Sequence, residues 1–389
     1  MKVTGFRNGD GGCDFYRCVI PLEKSMELSG ITYRELWSEK LMADILLYKE
    51  EFKKKMDSDI YLIQRLNTVP FLKRIKQYIL DNGINSRIVM DFDDNVFKIS
   101  PLSGHYKDYG TENVRIKMID GSEHDLWKDG VNGFDLALNR SRLDNVKEVV
   151  SMADMVTVTT PILAGVFREF NDNVRILPNC VDLNEWKKLP LEKNDSSIRL
   201  YWGGGMSHWE DLLLIRDTLK RICEKYENVK IVMLGWMPEG FEETFPGRVE
   251  FHPWSNFYAY SYKYASLGVD IALIPLVDNE FNRCKSCIKW IEASSLEIPS
   301  VVSYVSPYKE LESLSDKDLA VFIDGNGPES WFKGISELID NPELRKRIGA
   351  EARNVVERHF DINTQYNQWL NAYSEVLCAP PRQIPPNLN

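Results

Sequence analysis

Three segments combine residue types and spacing that could do chemistry. Gly203, Gly204 and Gly205 follow an apolar run and lead through Met206-Ser207-His208 into a helical pattern starting near Glu210. Glycines let backbone approach a ligand closely, and a helix N-terminus favours an anion. That chemistry is a phosphate or pyrophosphate cradle with His208 as a hydrogen-bond donor. The same residues would also serve as a tight turn with a His facing its helix. The full dinucleotide spacing G-x-G-x-x-G is absent.

The second segment runs from Asn282 to Glu292 and opens a helix after a strand ending at Pro275. Lys285, Lys289 and Glu292 share one helical face at i, i+4, i+7, and Ile288 and Ile291 lie on another. Two Lys at i, i+4 repel each other, which an adjacent anion would relieve. Ser286, in the first turn, can add a hydroxyl and backbone donors to the same anion. A solvated charged face is the bland alternative. A carboxylate such as Glu292 at this end of a nucleotide-binding sheet can hold ribose hydroxyls, or it can be a plain surface residue.

The third segment is Met90-Asp91-Phe92-Asp93-Asp94-Asn95-Val96-Phe97. Three carboxylates in four residues could ligate a divalent cation through oxygen, orient an acceptor hydroxyl, or serve structure alone. His105 and His124 lie in a polar stretch that could reach the same region. Cys284/Cys287 and Cys13/Cys18 are lone close pairs without the four-ligand framework of a zinc site. No zinc site is therefore expected. Trp254, Phe257, Tyr258, Tyr260, Tyr262 and Tyr264 form an aromatic cluster, mostly packing, with room for one ring to stack on a base or sugar.

These segments need elements to hold them. Strands are expected at Lys2 to Phe6, Ile60 to Gln64, Ser86 to Met90, Met155 to Thr159 and Arg175 to Leu177. Helices at about Tyr16 to Ser29, Phe71 to Asn82 and Ser141 to Ala153 alternate with them, and Thr160-Pro161 opens another. Residues from about 98 to 133 are polar and read as a long insertion or mobile loop. Leu189 to Ser197 reads as a linker. A second series follows, with strands at Ile198 to Trp202, Lys230 to Leu234, Val249 to Phe251, Asp270 to Pro275, Ser300 to Ser303 and Ala320 to Asp324. The chain is helical from Pro328 to Leu377, and its Pro-rich end, 379–389, is expected to be disordered. Alternation of this kind means α/β, with two doubly wound Rossmann-like domains.

Composition narrows the classes. At about 150 residues per domain, 389 residues suggest two or three domains. A formal net charge of −10 argues against a basic clamp on duplex DNA. Lys107, Arg115, Lys117 and Lys128 could still form a local basic patch. No apolar run approaches a membrane span and the N-terminus lacks a signal-peptide core, so a cytoplasmic location is expected. Seven Cys then read as mostly free thiols.

In their order along the chain, several segments carry a resemblance. Gly11-Gly12-Cys13-Asp14-Phe15-Tyr16-Arg17, the run Met90 to Phe97, Pro178-Asn179-Cys180-Val181-Asp182, the turn with Ser207-His208-Trp209-Glu210-Asp211-Leu212, and Lys285-Ser286 through Glu292 to Pro299 are those segments. Together they resemble retaining GT-B glycosyltransferases of the family 4 type, of the subgroup common in phages and bacteria. The likeness covers about residues 1 to 377.

The resemblance implies a GT-B fold, two domains facing a cleft, with an acceptor domain at 1–188 and a nucleotide-sugar domain at 198–358. A helix at 359–378 would cross back to the first domain, and domain closure would exclude water. It implies transfer of a sugar, with retention, from a nucleoside diphosphate sugar, a UDP-sugar foremost, with no metal and no tightly bound cofactor. The acceptor would be a glycan hydroxyl or a hydroxymethylated pyrimidine in DNA. Lys285, Asp93 and His208 are the expected catalytic residues. Gly12, Arg17, Gly204, Gly205, Ser207, Arg283, Ser286, Lys289 and Glu292 are expected at the donor, and Asp91, Asp94 and His105 at the acceptor. Glu292 matches the second Glu of the family's E-x7-E motif, while Cys284 stands where the first should be. That departure keeps open a degenerate protein that binds a nucleotide sugar or a partner without turnover. A nucleotide-sugar epimerase is the other alternative.

Overall fold

The computed structural model describes residues 1–7, 9, 11–37, 57–66, 68–117, 121–191 and 195–383. The chain divides into two compact units. The first contains residues 1–101, 107–179 and the chain from Ile362 onward; the second contains 102–106 and 180–361.

The first unit is built on six parallel strands: β1 (Lys2–Arg7), β2 (Thr32–Trp37), β3 (Ile60–Gln64), β4 (Arg87–Phe92), β7 (Met155–Val158) and β8 (Val174–Ile176). Their spatial order is β2-β1-β3-β4-β7-β8. Every residue of β3, β4 and β7 is buried, the pattern of central strands covered on both faces. Phe6 of β1 meets Phe71 of the helix Val69–Asp81 edge-on at 5.9 Å. Phe92 of β4 stacks on Phe167 at 4.5 Å.

The expected helix at Tyr16 to Ser29 is a π-helical turn, Phe15–Val19, running into the α-helix Ile20–Ser29. Arg17 sits in that turn at 1% exposure. Its Nε donates to Asp91 Oδ1 at 3.0 Å and its Nη2 to Asp91 Oδ2 at 2.7 Å. Nη1 donates to Asn179 Oδ1 at 3.1 Å and to the Leu177 carbonyl. Thr157 completes the shell, donating to Asp91 Oδ2 at 2.7 Å. Arg17 is thus a buried tie between the first helix, β4 and the chain after β8. Neither its proposed contact with a donor nor that of Asp91 with an acceptor fits this geometry, because both groups have their hydrogen bonds satisfied inside the unit.

The polar stretch from 98 to 133 is more structured than expected. It holds the short helix Tyr106–Tyr109 and an antiparallel pair, β5 (Val114–Lys117) and β6 (Glu123–Trp127). Arg115 pairs with Asp125 at 2.9 Å and Glu123 at 3.4 Å, and Lys128 with Asp125 at 3.3 Å. Two of the four members of the anticipated basic patch, Arg115 and Lys128, are therefore paired with local carboxylates. Residues 118–120 lie outside the described residues.

The second unit repeats the scheme with β9 (Ile198–Gly204), β10 (Val229–Gly235), β11 (Val249–Pro253), β12 (Ile271–Ile274), β13 (Ser300–Ser303) and β14 (Val321–Ile323). The strands are parallel, in the order β11-β10-β9-β12-β13-β14. Trp202, Leu212, Ile215, Leu219, Trp331 and Ile335 form one core between the sheet and the helices Trp209–Lys225 and Pro328–Asp340. The first strand of this unit, β9, lies between β10 and β12. Chain connections leave it in opposite directions, so a crevice opens at the carboxyl ends of β9 and β12.

The helices Ile362–Gln365 and Asn367–Cys378 belong to the first unit. The Pro-rich end begins as ordered chain, against expectation. Arg87 Nε donates to the Ala379 carbonyl at 3.1 Å, Lys76 Nζ to the Arg382 carbonyl at 2.6 Å, and the Arg382 amide to Asp154 Oδ1 at 2.6 Å. These bonds exchange water for buried donors that need acceptors. Residues 384–389 of that expected disordered segment, and 192–194 of the expected linker, lie outside the described residues.

Removing one partner of a buried ion pair strands the other. Arg17→Met should therefore lower the unfolding free energy by about 3–5 kcal/mol. Combining it with Asp91→Leu should restore much of that loss, as read by urea denaturation.

Candidate functional site

At the switch point of the second unit, β9 ends in Gly203-Gly204, and Gly205 caps a single 3-10 turn, Met206–His208, that feeds the helix Trp209–Lys225. The three glycines differ in purpose. A Cβ on Gly203 would lie 2.0 Å from the hydroxyl of Tyr201, so this glycine makes room for a side chain rather than a ligand. A Cβ on Gly204 would lie 3.2 Å from the Trp202 ring and 3.3 Å from Lys289 Nζ, so this glycine gives room to the Trp202 ring and faces Lys289 across a short gap. Around Gly205 the nearest atom such a Cβ would meet is Ser207 Oγ at 4.0 Å, which is open space. The backbone at Gly205 is the most open of the three, and at Gly203 the Tyr201 phenol fills the space.

His208 Nδ1 lies 2.8 Å from Asp211 Oδ2. The other oxygen of Asp211 accepts from the Val277 amide at 2.8 Å and from Asn282 Nδ2 at 3.2 Å. Val277 follows β12, and Asn282 lies in the helical turn Glu280–Arg283. Asp211 therefore fastens the helix after β9 to the loop after β12. Burial raises the Asp211 carboxyl, but His208, Lys289 and the Val277 amide outweigh it and leave the carboxyl below its ordinary value. Burial, with Lys289 and Lys285 nearby, pushes His208 down to about 3. The imidazole is then neutral at pH 7, and the Asp211 carboxylate requires its proton on Nδ1. Nε2 is an acceptor, so His208 cannot donate to a phosphate in this state.

Lys289 lies in the first turn of the helix Ile288–Ser295, beside Trp202, whose ring centroid is 5.5 Å from Nζ. Among the described residues it makes no hydrogen bond or ion pair. Burial lowers its ammonium to about 8, with Lys285 adding repulsion and Asp211 and Glu292 offsetting part of it. Lys285 lies over the Phe281 ring at 4.5 Å. Ser286 precedes the same helix and is half-buried. Glu292, one turn after Lys289, accepts from the Tyr260 hydroxyl at 3.3 Å. Arg283 does not join this group. It is exposed and bound to Asp278 through Nε–Oδ1 at 2.6 Å and Nη2–Oδ2 at 3.0 Å.

The remaining candidates lie elsewhere. Gly12 opens the short helix Gly12–Asp14 of the first unit. Asp93, 8% exposed, binds Arg65 Nε at 2.6 Å and also engages the Cys13 thiol. Burial raises the Asp93 carboxyl, and Arg65 with the Cys13 hydrogen bond overcomes this to lower it. Asp94 approaches the same guanidinium at 3.6 Å. Arg65 adopts φ of 48°, a backbone conformation rare for a side chain of this size. His105 is exposed and belongs by its contacts to the second unit. His124 is exposed on β6, 3.1 Å from Ser122. Among the described residues no group of three His, Cys, Asp or Glu is arranged to hold a metal ion. The sequence gives no separate role to Asp211 or Asn282 and offers Tyr260 only as one of a cluster of rings. Asp211 did carry a signal, being an acidic residue three positions after His208 on one helical turn.

No model of a known protein family matches the chain. The uncharacterized glycosyltransferase MJ1059 of Methanocaldococcus jannaschii is 24% identical over 239 residues, which cover 57% of this chain and 55% of that protein. The match thus spans about half the length of the relative. The crystal structure of Anabaena Alr3699/HepE in complex with UDP and glucose superposes with a TM-score of 0.61 at 14% identity, covering 96% of this chain and 99% of that one. A glycosyltransferase from Rickettsia africae gives 0.62 at 13% identity, covering 97% and 99%. The fold is that of GT-B glycosyltransferases, two Rossmann-like α/β units. Among the described residues no helix is long and apolar enough to cross a membrane.

A half-buried lysine lowered from 10.5 to about 8 costs stability while charged. Above pH 8 the unfolded chain binds a proton that the folded chain has released, so this cost fades as pH rises towards 10.5. Lys289→Met should raise the melting temperature at about pH 7 by roughly 3–6 °C. The gain should shrink by about pH 10, as read by calorimetry.

Proposed function

We propose that the protein is a glycosyltransferase that takes a sugar from a nucleoside diphosphate donor held by the second unit. The observation that carries this reading is Lys289, a half-buried ammonium without a hydrogen-bond partner among the described residues, facing Gly204 at the carboxyl ends of β9 and β12. A desolvated cation in front of a glycine backbone and a helix start is suited to a diphosphate. Anion binding would also relieve its repulsion with Lys285.

In this reading the diphosphate contacts Gly204, Gly205, Ser207, Lys289 and Ser286. Lys285 neutralises the leaving group as the sugar–phosphate bond lengthens, and positive charge there lowers the barrier. His208, neutral with Nε2 open as an acceptor, takes a hydroxyl of the donor sugar rather than a phosphate oxygen. Glu292 takes the ribose hydroxyls. Asp93, with Asp94, receives the acceptor hydroxyl, and Arg65 keeps Asp93 ionised for it. Transfer proceeds with retention, as in the family 4 enzymes that the chain resembles. The UDP bound in the Anabaena neighbour supports a UDP-sugar as donor. The pairing of Arg115 and Lys128 with local carboxylates favours a glycan acceptor over modified DNA.

The test is a thermal-shift panel of UDP-, GDP-, ADP- and TDP-sugars with and without divalent metal. A ligand at one hundred times its dissociation constant adds about 2.7 kcal/mol. The UDP series should stabilise the protein without metal, and Lys289→Ala and Lys285→Ala should each remove most of the shift. No shift with any nucleotide, or a shift that both variants retain, would sink the reading. Affinity should also respond to pH. As pH rises through about 8 Lys289 loses its charge, so UDP should bind roughly three- to tenfold more weakly at about pH 9 than at about pH 7. Titration calorimetry at the two values reads this directly.

A further inference from the structure

Glu292 is 7% exposed and stands against a box of buried rings. Tyr201, Tyr260 and Tyr264 are 6%, 5% and 1% exposed. Tyr201 stacks on Tyr264 with centroids 4.2 Å apart, and Trp186 meets Tyr260 and Tyr264 edge-on at 5.9 and 6.0 Å. Within the box the hydroxyls form a chain. Tyr260 lies 3.3 Å from Glu292 Oε2 and 3.5 Å from the Tyr201 hydroxyl. A carboxylate only accepts, so the single Tyr260 proton goes to Glu292 and the Tyr201 proton must go to Tyr260. Each bond polarises the next in a water-poor setting. The strand accommodates this chain, since any side chain at 203 would displace the Tyr201 phenol.

We infer that Tyr260, backed by Tyr201, is a positioning residue that fixes Glu292 for the vicinal diol of a ribose, so that the site selects ribonucleotide donors. The inference rests on the donor site proposed above. The Glu292 carboxylate accepts from the phenol beside a box of buried rings, which favours one orientation. A ligand whose sugar carries donors where the carboxylate already points is rewarded. One without them forgoes those bonds to the carboxylate. Tyr260 itself touches no substrate in this account and acts through Glu292.

The test compares UDP with 2′,3′-dideoxy-UDP by titration calorimetry, in the wild type and in Tyr260→Phe, Tyr201→Phe and Glu292→Ala. The wild type should prefer UDP by roughly 10- to 100-fold. Glu292→Ala should bring the ratio near one. Tyr260→Phe should weaken UDP several-fold while leaving the dideoxy analogue almost unchanged, and Tyr201→Phe should do the same to a smaller extent. If Tyr260→Phe does not fold by thermal unfolding, Tyr201→Phe carries the test alone, because among the described residues the Tyr201 phenol bonds only to Tyr260. Equal weakening of both nucleotides, or an unchanged ratio in the folded Phe variants, would overturn the positioning role. A wild type that binds UDP without preferring it over the dideoxy analogue would overturn the ribose selection while the donor site stands. A wild type that binds neither would overturn both.

Discussion

The second unit turns on one buried carboxylate. A doubly wound sheet places its crevice where connections diverge, and divergence alone would leave the two sides unattached. Asp211 joins them, accepting from His208 on one side and from the Val277 amide and Asn282 on the other. With its oxygens committed to neutral donors, Asp211 acts as a structural acceptor and not as the hydrogen-bonded partner of Lys289. That distribution leaves an ammonium facing Gly204 without a fixed partner among the described residues. The candidate site follows from where hydrogen bonds have been placed more than from net charge, since Asp211 and Glu292 match Lys285 and Lys289 in number.

The first unit uses the same device to the opposite effect. Asp91 at the end of β4 receives a fork of bonds from Arg17, and Thr157 takes what remains. Both charges are consumed, and the interior gains a tie between three elements. Two residues on, Asp93 pairs with Arg65 closer to the surface, where the guanidinium side chain is 32% exposed. Arginine suits such pairings because its planar fork matches a carboxylate, whereas lysine presents a point charge that shifts readily on burial. The contrast between Arg17, held by Asp91, and Lys289, without a fixed partner among the described residues, parallels that between framework and candidate ligand site.

Much of the architecture was legible. The apolar runs at 60–64, 155–158 and 300–303 announce buried parallel strands because both faces are covered. Strand β2 was not foreseen, since Thr32–Trp37 mixes Tyr, Arg and Glu with few aliphatic residues at an edge position. The helix face shared by Lys285, Lys289 and Glu292 could be read from spacing. Which lysine would face the glycines could not, because that depends on Trp202 and on the path of β9. The contact that Arg17 makes is hidden from the sequence for a related reason. A charged residue near a Gly-rich turn or a helix start looks the same in sequence whether it meets a ligand or a carboxylate brought from 74 residues away, as Asp91 is. Gly203 was read as ligand space when a phenol two residues earlier needs that volume. In each case the deciding partner is distant in sequence or lies on the same pleat.

The central claim is that a diphosphate sits at the carboxyl ends of β9 and β12. A crystal structure of the protein soaked with UDP tests it most directly. The account predicts phosphate density against the Gly204 and Gly205 backbone, with Lys289 Nζ within hydrogen-bond distance of a phosphate oxygen. Density for UDP at the Gly11-Gly12 turn of the first unit, with Lys289 untouched, would contradict it.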